Sequence, residues 1–149
     1  MDGIFLFKGI PVKTEDLLEI VNDHTLSSIR VLLVDDNPDF LASTSDFLNT
    51  DPQIEIIGLA QSGMDAVQRV DELHPDLVLM DLVMPGINGL AATRLIKAKS
   101  LTTRVIILTQ HDDPLYRFQA EAVNADGFIA KSEIDEGLLA LIHAIGTDR

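Results

Sequence analysis

The sequence predicts an α/β protein with a doubly wound, five-stranded parallel sheet in the order 2-1-3-4-5. From about residue 29 onward, five short apolar segments alternate with five segments of helical amphipathic pattern. Such alternation is typical of parallel sheets with right-handed crossovers. The polar residues that can carry chemistry follow directly after the apolar segments, where ligands bind in sheets of this kind. A length of 149 residues fits one domain of this type.

The predicted strands are runs of four to seven residues rich in Val, Ile and Leu, as expected for strands buried on both faces. They cover residues 29–34, 54–60, 77–80, 105–108 and 127–130. The segments between them repeat apolar residues at helical spacing. The repeats are Phe40, Leu41, Phe47 and Leu48 in the first, Met64, Val67, Val70 and Leu73 in the second, and Leu138, Leu141, Ile142 and Ile145 in the last.

The third and fourth helices are expected over residues 89–99 and near 114–123, the fourth with a less regular pattern. Pro85 and Gly86 indicate a turn after the third strand. Asn124 stands where a helix end often needs a left-handed residue, so we expect the fourth helix to end there.

Residues 1–28 form an extension that precedes the domain predicted over 29–149. The apolar run 4–7 predicts a short strand, and Thr14 is a suitable N-cap for a helix over 15–24. We interpret this helix as an accessory element packed on the core; the alternative is an element for dimerisation or partner docking.

The composition excludes several classes of function. A net charge of −13, with 24 acidic and 11 basic side chains, argues against nucleic-acid binding and against adhesion to anionic lipid. The absence of cysteine excludes disulfides, thiolate metal sites and a cysteine nucleophile. Neither a signal peptide nor an apolar run of about 18 residues is present, so we expect a soluble cytoplasmic protein without membrane contact.

Four predicted strands end in polar residues on one side of the sheet. Asp35 and Asp36 follow the first strand, Asp81 the third, Thr109 the fourth and Lys131 the fifth. Each residue has a simpler interpretation when considered alone: a helix cap, a turn residue, a strand-end hydroxyl or a solvated lysine. Their shared position changes this balance, because the carboxyl ends of parallel strands meet at one edge.

Three carboxylates in one pocket oppose each other's ionisation, and a divalent cation relieves that repulsion. Ligands that are all oxygen favour Mg²⁺, or Mn²⁺ as an alternative, over Zn²⁺. Lys131 adds a positive charge and Thr109 a hydrogen-bond donor, so these groups together suit a phosphoryl group. An aspartate beside the cation is a candidate nucleophile that forms an acyl phosphate.

These segments resemble the response-regulator receiver domain of two-component signalling, a CheY-like fold. The resemblance rests on four segments in order, and it covers about residues 29–146. They are residues 31–37, 76–89, 105–109 and 125–131. The segment 125–132 is more similar to receivers of helix-turn-helix regulators, so the sequence is either a stand-alone receiver or a piece of a longer regulator.

The resemblance implies a role for each matching residue. Asp81 would accept a phosphoryl group from a phosphohistidine on a histidine kinase or a phosphotransfer protein. Asp36 and Asp81 would bind Mg²⁺ directly, Asp35 through water, and Val83 through its backbone carbonyl. The chain would therefore be a signalling module and not an enzyme, apart from gaining and losing its own phosphoryl group.

The resemblance also implies a conformational switch. Lys131 would pair with Asp81 and then with phosphoryl oxygens, while Thr109 would move to hydrogen-bond the phosphoryl group. Phe128 occupies the aromatic switch position of the family, although a plain core role is equally compatible with the sequence. A downstream protein or a second copy would bind the face of the fourth helix, fifth strand and fifth helix, or the face of the first and fifth helices.

The sequence departs from the commoner family pattern after the fourth strand. Gln110 follows Thr109, where a small residue is usual, and His111 comes next. We expect Gln110 to modulate the lifetime of the phosphoryl group, and His111 is either a titrating group or an ordinary solvated side chain.

Three rival interpretations remain open at this point. A degenerate receiver would act only as an interaction domain, without phosphoryl turnover. An aspartate-nucleophile phosphohydrolase of the haloacid dehalogenase type would need an acid two residues after Asp81, where Val83 stands. A flavodoxin-type electron carrier would need a Ser/Thr/Gly-rich phosphate loop after the first strand, where Asp35 and Asp36 stand instead.

Overall fold

A computed structural model of the protein describes residues 4–6, 10–11 and 28–146. Its strands are β1 (Ile4–Leu6), β2 (Ile10–Pro11), β3 (Ile29–Val34), β4 (Ile54–Ala60), β5 (Leu77–Asp81), β6 (Arg104–Thr109) and β7 (Gly127–Ala130). Within the described residues these strands form one sheet in the spatial order β2-β1-β7-β6-β5-β3-β4. Strands β3 to β7 pair in parallel. They have the predicted order 2-1-3-4-5, so the predicted fold class is confirmed.

The helices lie between these strands, at or close to the predicted positions. They are α1 (Pro38–Leu48), α2 (Gly63–Leu73), α3 (Gly89–Lys99), α4 (Pro114–Ala122) and α5 (Leu139–Gly146). Four begin at a side chain that accepts a backbone N–H of the first turn, which is what an N-cap does. The caps are Asn37, Ser62, Asn88 and Asp113. Asn124 has a φ of 65°, which confirms the left-handed residue expected after α4.

The segment before α5 is less regular than the sequence predicts. A 3-10 turn over Lys131–Glu133 and a π-helical turn over Ile134–Leu138 precede the α-helix. None of the helices in the described part of the chain has both the length and the apolar character needed to cross a lipid bilayer.

The sheet has a buried layer on each face, because successive strand residues point to opposite sides. Val31 and Leu33 belong to the layer under α1 and α5. Leu32 and Val34 belong to the layer under α2, α3 and α4. With both faces covered by helices, the ends of the strands are where the sheet can present polar side chains.

The N-terminal extension adds strands to the sheet. The strand predicted over residues 4–7 is confirmed as Ile4–Leu6, and it pairs antiparallel with β7, with Phe5 opposite Phe128. Strand β2 pairs antiparallel with β1. The helix predicted over 15–24 lies outside the described residues, so its two interpretations remain predictions.

Candidate functional site

An acidic cluster lies at the carboxyl ends of two neighbouring parallel strands. Asp35 and Asp36 follow β3, and Asp81 is the last residue of β5, which pairs with β3. Each of the three offers a carboxylate oxygen within 4.8 Å of the others. Asp35 and Asp81 are 1% and 5% exposed, whereas Asp36 is exposed. The cluster is therefore buried at its base and open to solvent on the side of Asp36.

Lys131 brings one positive charge to this cluster from the end of β7. Its Nζ lies 2.7 Å from Asp35 Oδ2 and 3.2 Å from Asp81 Oδ1. The ammonium also lies 4.1 Å from the centroid of the Phe40 ring. One ammonium thus contacts two of three clustered carboxylates, and the four ionisable groups together have an excess of negative charge.

The carboxyl group of Asp81 responds to this environment. Its pKa is raised from 3.8 to about 6, mainly by burial and also by the charges of Asp35 and Asp36, while the attraction of Lys131 opposes the rise. Desolvation disfavours the ionised form, so at neutral pH the attraction of Lys131 only partly offsets the cost of a buried negative charge on Asp81. Three oxygen donors with surplus negative charge fit a divalent cation of the Mg²⁺ type, whereas Zn²⁺ sites favour nitrogen and sulfur donors.

The start of α1 orients the carboxylate of Asp35. The backbone N–H of Asn37 donates to Asp35 Oδ1 at 2.9 Å, which leaves Oδ2 for Lys131. The side chain of Asn37 accepts the backbone N–H groups of Asp39 and Phe40 as the helix cap. The capping role that the sequence allowed for this segment therefore belongs to Asn37, while Asp35 and Asp36 join the acidic cluster.

The loop after β5 approaches the backbone of Asp81 closely. The N–H of Gly89 donates to the carbonyl of Leu82 at 2.9 Å. A Cβ atom at Gly89 would collide with the carbonyl oxygen of Asp81, so a larger residue does not fit there. The side chain of Val83 is 62% exposed at the start of this loop. The missing side chain of Gly89 therefore allows the start of α3 to pack directly against the last residue of β5.

Thr109 lies at the same edge of the sheet, at the end of β6. It is 1% exposed, and its Oγ1 both donates to the carbonyl and accepts from the N–H of His111, each at 3.1 Å. The side chains of Gln110 and His111 are exposed. Thr109 is thus hydrogen-bonded to its own loop, and the move toward a phosphoryl group that the resemblance implies stays a prediction.

Phe128 is fully buried in the layer under α2, α3 and α4. Its position in this structure is that of a core residue. The structure therefore brings together Asp35, Asp36, Asp81 and Lys131, and it places Thr109 and Phe128 on adjacent strands.

Two contributors were not identified from the sequence. The apolar spacing of α1 places Phe40 on the face of the helix that packs on the core. It does not indicate that the ammonium of Lys131 lies above the Phe40 ring. Gly89 belongs to the segment that carries the resemblance, yet only the coordinates show its approach to Asp81.

Comparison with known proteins agrees with this geometry. The sequence profile of the response regulator receiver domain matches residues 31–143. The chain belongs to this family. Oxygen regulatory protein NreC of Staphylococcus aureus is 36% identical over 118 residues, which cover 78% of this chain and 54% of that protein. The receiver thus spans about half the length of the curated relatives it matches.

Two solved structures show the same fold. A LuxR-family two-component response regulator from Aurantimonas sp. SI85-9A1 has a TM-score of 0.79 and 31% identity, covering 83% of this chain and 88% of that one. The response regulator domain of Thermotoga maritima CheB has a TM-score of 0.76 and 30% identity, covering 82% and 98%. The resemblance seen in the sequence, including its likeness to receivers of helix-turn-helix regulators, is confirmed.

Membership of the family supplies general properties. Receiver domains are signalling modules of two-component response regulators that interact with histidine kinases and downstream effectors. They typically bind Mg²⁺ at an acidic pocket, and this chain has an acidic cluster formed by Asp35, Asp36 and Asp81.

Proposed function

We propose that Asp81 accepts a phosphoryl group, in the presence of Mg²⁺ or Mn²⁺, from a phosphohistidine of a histidine kinase or a phosphotransfer protein. The observation that carries this proposal is the buried carboxylate of Asp81, grouped with two further carboxylates and contacted by Lys131. It lies at the point where the strand order reverses, between β3 and β5, which is where doubly wound sheets bind ligands.

Asp36 and Asp81 would hold the cation directly, Asp35 through water, and Val83 through its backbone carbonyl. The bound cation supplies positive charge that offsets the repulsion between the carboxylates and the incoming phosphoryl group. A carboxylate oxygen of Asp81 attacks phosphorus as the bond from phosphorus to the donor imidazole breaks. The electron pair of that bond stays on the imidazole, which takes a proton as it leaves.

Lys131 and Thr109 stabilise the product in this scheme. The ammonium of Lys131, already 3.2 Å from Asp81 Oδ1, passes to a phosphoryl oxygen. Thr109 leaves the backbone of His111 and donates to another phosphoryl oxygen, and Phe128 follows on the adjacent strand. These shifts favour a second arrangement of the face formed by α4, β7 and α5, or of the face formed by α1 and α5.

A downstream protein or a second copy of the chain would bind the changed face. We infer that residues 29–149 form this receiver and that residues 1–28 are an extension to it. Because the full chain has a net charge of −13, we propose that it contacts neither nucleic acid nor membrane itself, and that it acts in the cytoplasm without other enzymatic activity. Val83, two residues after Asp81, argues against the phosphohydrolase alternative because that chemistry needs an acid there.

Incubation with Mg²⁺ and acetyl phosphate or phosphoramidate tests the proposal. We expect a mass increase of one phosphoryl group that is stable in acid and labile in base. Asp81→Asn should abolish it, and Asp71→Asn, which changes an exposed aspartate on α2, should retain it. A wild-type chain that gains no mass and binds no Mg²⁺ would instead be a degenerate receiver that acts only as an interaction domain.

A further inference from the structure

Phe40 makes a contact that its apolar character alone does not explain. The Nζ of Lys131 lies 4.1 Å from the centroid of its ring. A cation within about 6 Å of an aromatic face is attracted by the ring quadrupole, and more strongly where solvent is excluded. The side chain of Lys131 is 14% exposed and Phe40 is half-buried, so water screens this attraction only partly.

The ring and the ammonium belong to a closed circuit of contacts. Lys131 Nζ donates to Asp35 Oδ2, and Asp35 Oδ1 accepts the N–H of Asn37. The side chain of Asn37 accepts the N–H of Phe40, whose ring returns to Lys131. The turn that orients Asp35 therefore also places the aromatic ring beside the ammonium.

The proposed function creates a competition for the carboxylates in this circuit. Asp35 and Asp81 both contact Lys131, and both belong to the group that would serve the divalent cation. If a divalent cation weakens the ion pair between Lys131 and Asp35, the ammonium needs another attraction to stay in the pocket. A further carboxylate would add to the repulsion among the existing three, whereas an aromatic face attracts a cation without adding a formal negative charge.

We propose that Phe40 is a positioning residue for Lys131, and that its ring keeps the ammonium in the pocket when the carboxylates engage a divalent cation. This inference rests on the proposed function, because it concerns the step in which Lys131 passes from the carboxylates to a phosphoryl oxygen. The ring acts through Lys131 and touches neither the phosphoryl donor nor the acceptor.

Helix α1 offers a matched control for this role. Phe40 and Phe47 are both half-buried, and both pack against the core layer under α1 and α5. They are seven residues apart, about 10 Å along a helix. Leucine at either position keeps an apolar side chain and removes the ring, so Phe47→Leu reports the cost of lost packing alone. Phe40→Tyr keeps an aromatic face and should behave like the wild type.

The first measurement is by NMR and does not depend on phosphoryl transfer. The ring of Phe40 should shift the ε-methylene protons of Lys131 upfield of those of the other lysines. We expect this shift to persist after addition of Mg²⁺ and beryllofluoride, to disappear in Phe40→Leu, and to remain in Phe40→Tyr and Phe47→Leu.

The second measurement is the rate of phosphorylation by acetyl phosphate over a range of Mg²⁺ concentrations. Phe40→Leu should lower the maximal rate about fivefold, within the roughly two- to thirtyfold that cation–π contacts are worth. The Mg²⁺ concentration for half-maximal rate should stay within about twofold, since the ring binds no metal. Phe40→Tyr should restore the rate.

Several results would overturn the inference. They are an unshifted Lys131 methylene in the wild type, a shift that survives Phe40→Leu, and equal rates for Phe40→Leu and Phe47→Leu. A wild-type chain that accepts no phosphoryl group would overturn the proposed function as well, and that outcome is recognised before any variant is compared.

Discussion

Two charged clusters at opposite ends of the sheet differ in their ratio of cations to carboxylates. At the amino ends of β6 and β7, the carboxylate of Asp126 accepts from Lys97 at 2.6 Å, from Arg104 at 3.4 Å and from the backbone N–H of Val105 at 2.8 Å. At the carboxyl ends, the ammonium of Lys131 contacts Asp35 and Asp81, and Asp36 is a third carboxylate of the same cluster. The cluster around Asp126 has two cations for one carboxylate, whereas the acidic cluster has three carboxylates and one ammonium.

This difference fits a structural role for the cluster around Asp126 and the ligand-binding role that we propose for the acidic cluster. A carboxylate with several donors is stable as it stands and ties α3 to β6 and β7. A group of buried carboxylates with too few partners costs folding free energy, and proteins retain such groups mainly at functional sites. The pKa of Asp81, raised to about 6, is the signature of that cost. Substitutions at the two ends should therefore change stability in opposite directions.

The largest effect on stability is expected from a substitution in the cluster around Asp126, at the amino ends of β6 and β7. Asp126→Ala should lower the free energy of unfolding by about 2–4 kcal/mol, because it leaves the partly buried Lys97 and the N–H of Val105 without the carboxylate. Urea denaturation measures this change. The control Asp71→Ala, at an exposed position, should stay within about 0.5 kcal/mol. A loss of less than about 1 kcal/mol for Asp126→Ala would contradict the structural role of this cluster.

The next largest effect on stability is expected from Mg²⁺ binding to the acidic cluster at the carboxyl ends of β3 and β5. Saturating Mg²⁺ should raise the free energy of unfolding of the wild type by about 1–3 kcal/mol, because the cation binds the native state only. Asp126→Ala should keep this gain, whereas Asp36→Asn should lose most of it. Thermal unfolding with and without Mg²⁺ measures both. Equal gains in Asp36→Asn and the wild type would show that the acidic cluster does not bind the ion.

In the absence of divalent cations, Asp81→Asn should raise the free energy of unfolding, whereas Asp126→Ala lowers it. The change should be smaller than that of Asp126→Ala. The raised pKa means that the native state binds more protons than the unfolded state between about pH 4 and 6, so ionisation of Asp81 destabilises the wild type as pH rises through this range. The variant should be more stable by about 1–2 kcal/mol at pH 7.5.

This advantage of Asp81→Asn should decline as pH falls through 6 and disappear below the ordinary pKa of 3.8, where Asp81 is protonated in both states. Urea denaturation across this pH range, with a chelator present, measures the difference between variant and wild type. An advantage that stays constant from pH 7.5 to 4 would mean that ionisation of Asp81 is not its source.

The smallest effect on stability should come from Gln110→Ala, whose side chain is exposed beside Thr109. The free energy of unfolding should change by less than about 0.5 kcal/mol. The dephosphorylation rate should nevertheless change measurably, because a long polar side chain there can shield the phosphoryl group from water or donate to it. The dephosphorylation rate is measured from the decay of the phosphorylated chain. An unchanged rate would show that Gln110 does not affect the lifetime of the phosphoryl group.

Much of the fold could be predicted because its information is local. Apolar runs and helical spacing define the five parallel strands and their helices within a few residues. The parallel order then requires that Asp35, Asp36, Asp81 and Lys131 meet at one edge, although Asp35 and Lys131 are 96 positions apart. Periodicity and topology together therefore predict the composition of the acidic cluster.

Other features depend on contacts that no local pattern encodes. The apolar run of residues 4–7 predicts a strand but not its partner, and its antiparallel pairing with β7 was unexpected. The spacing of Phe40 assigns it to the core face of α1, while its contact with Lys131 depends on where the end of β7 lies in space. Gly89 is explained only by the measured approach to Asp81.

The strands at the two borders of the sheet bear on solubility. Unpaired backbone groups at the border of a sheet can pair with another chain, and proline or charge at that position prevents it. At one border, β2 is two residues long and ends in Pro11, which has no backbone N–H to offer. At the other border, β4 carries the exposed charge of Glu55. Within the part of the chain that the structure describes, both borders should therefore resist pairing with a strand of another molecule.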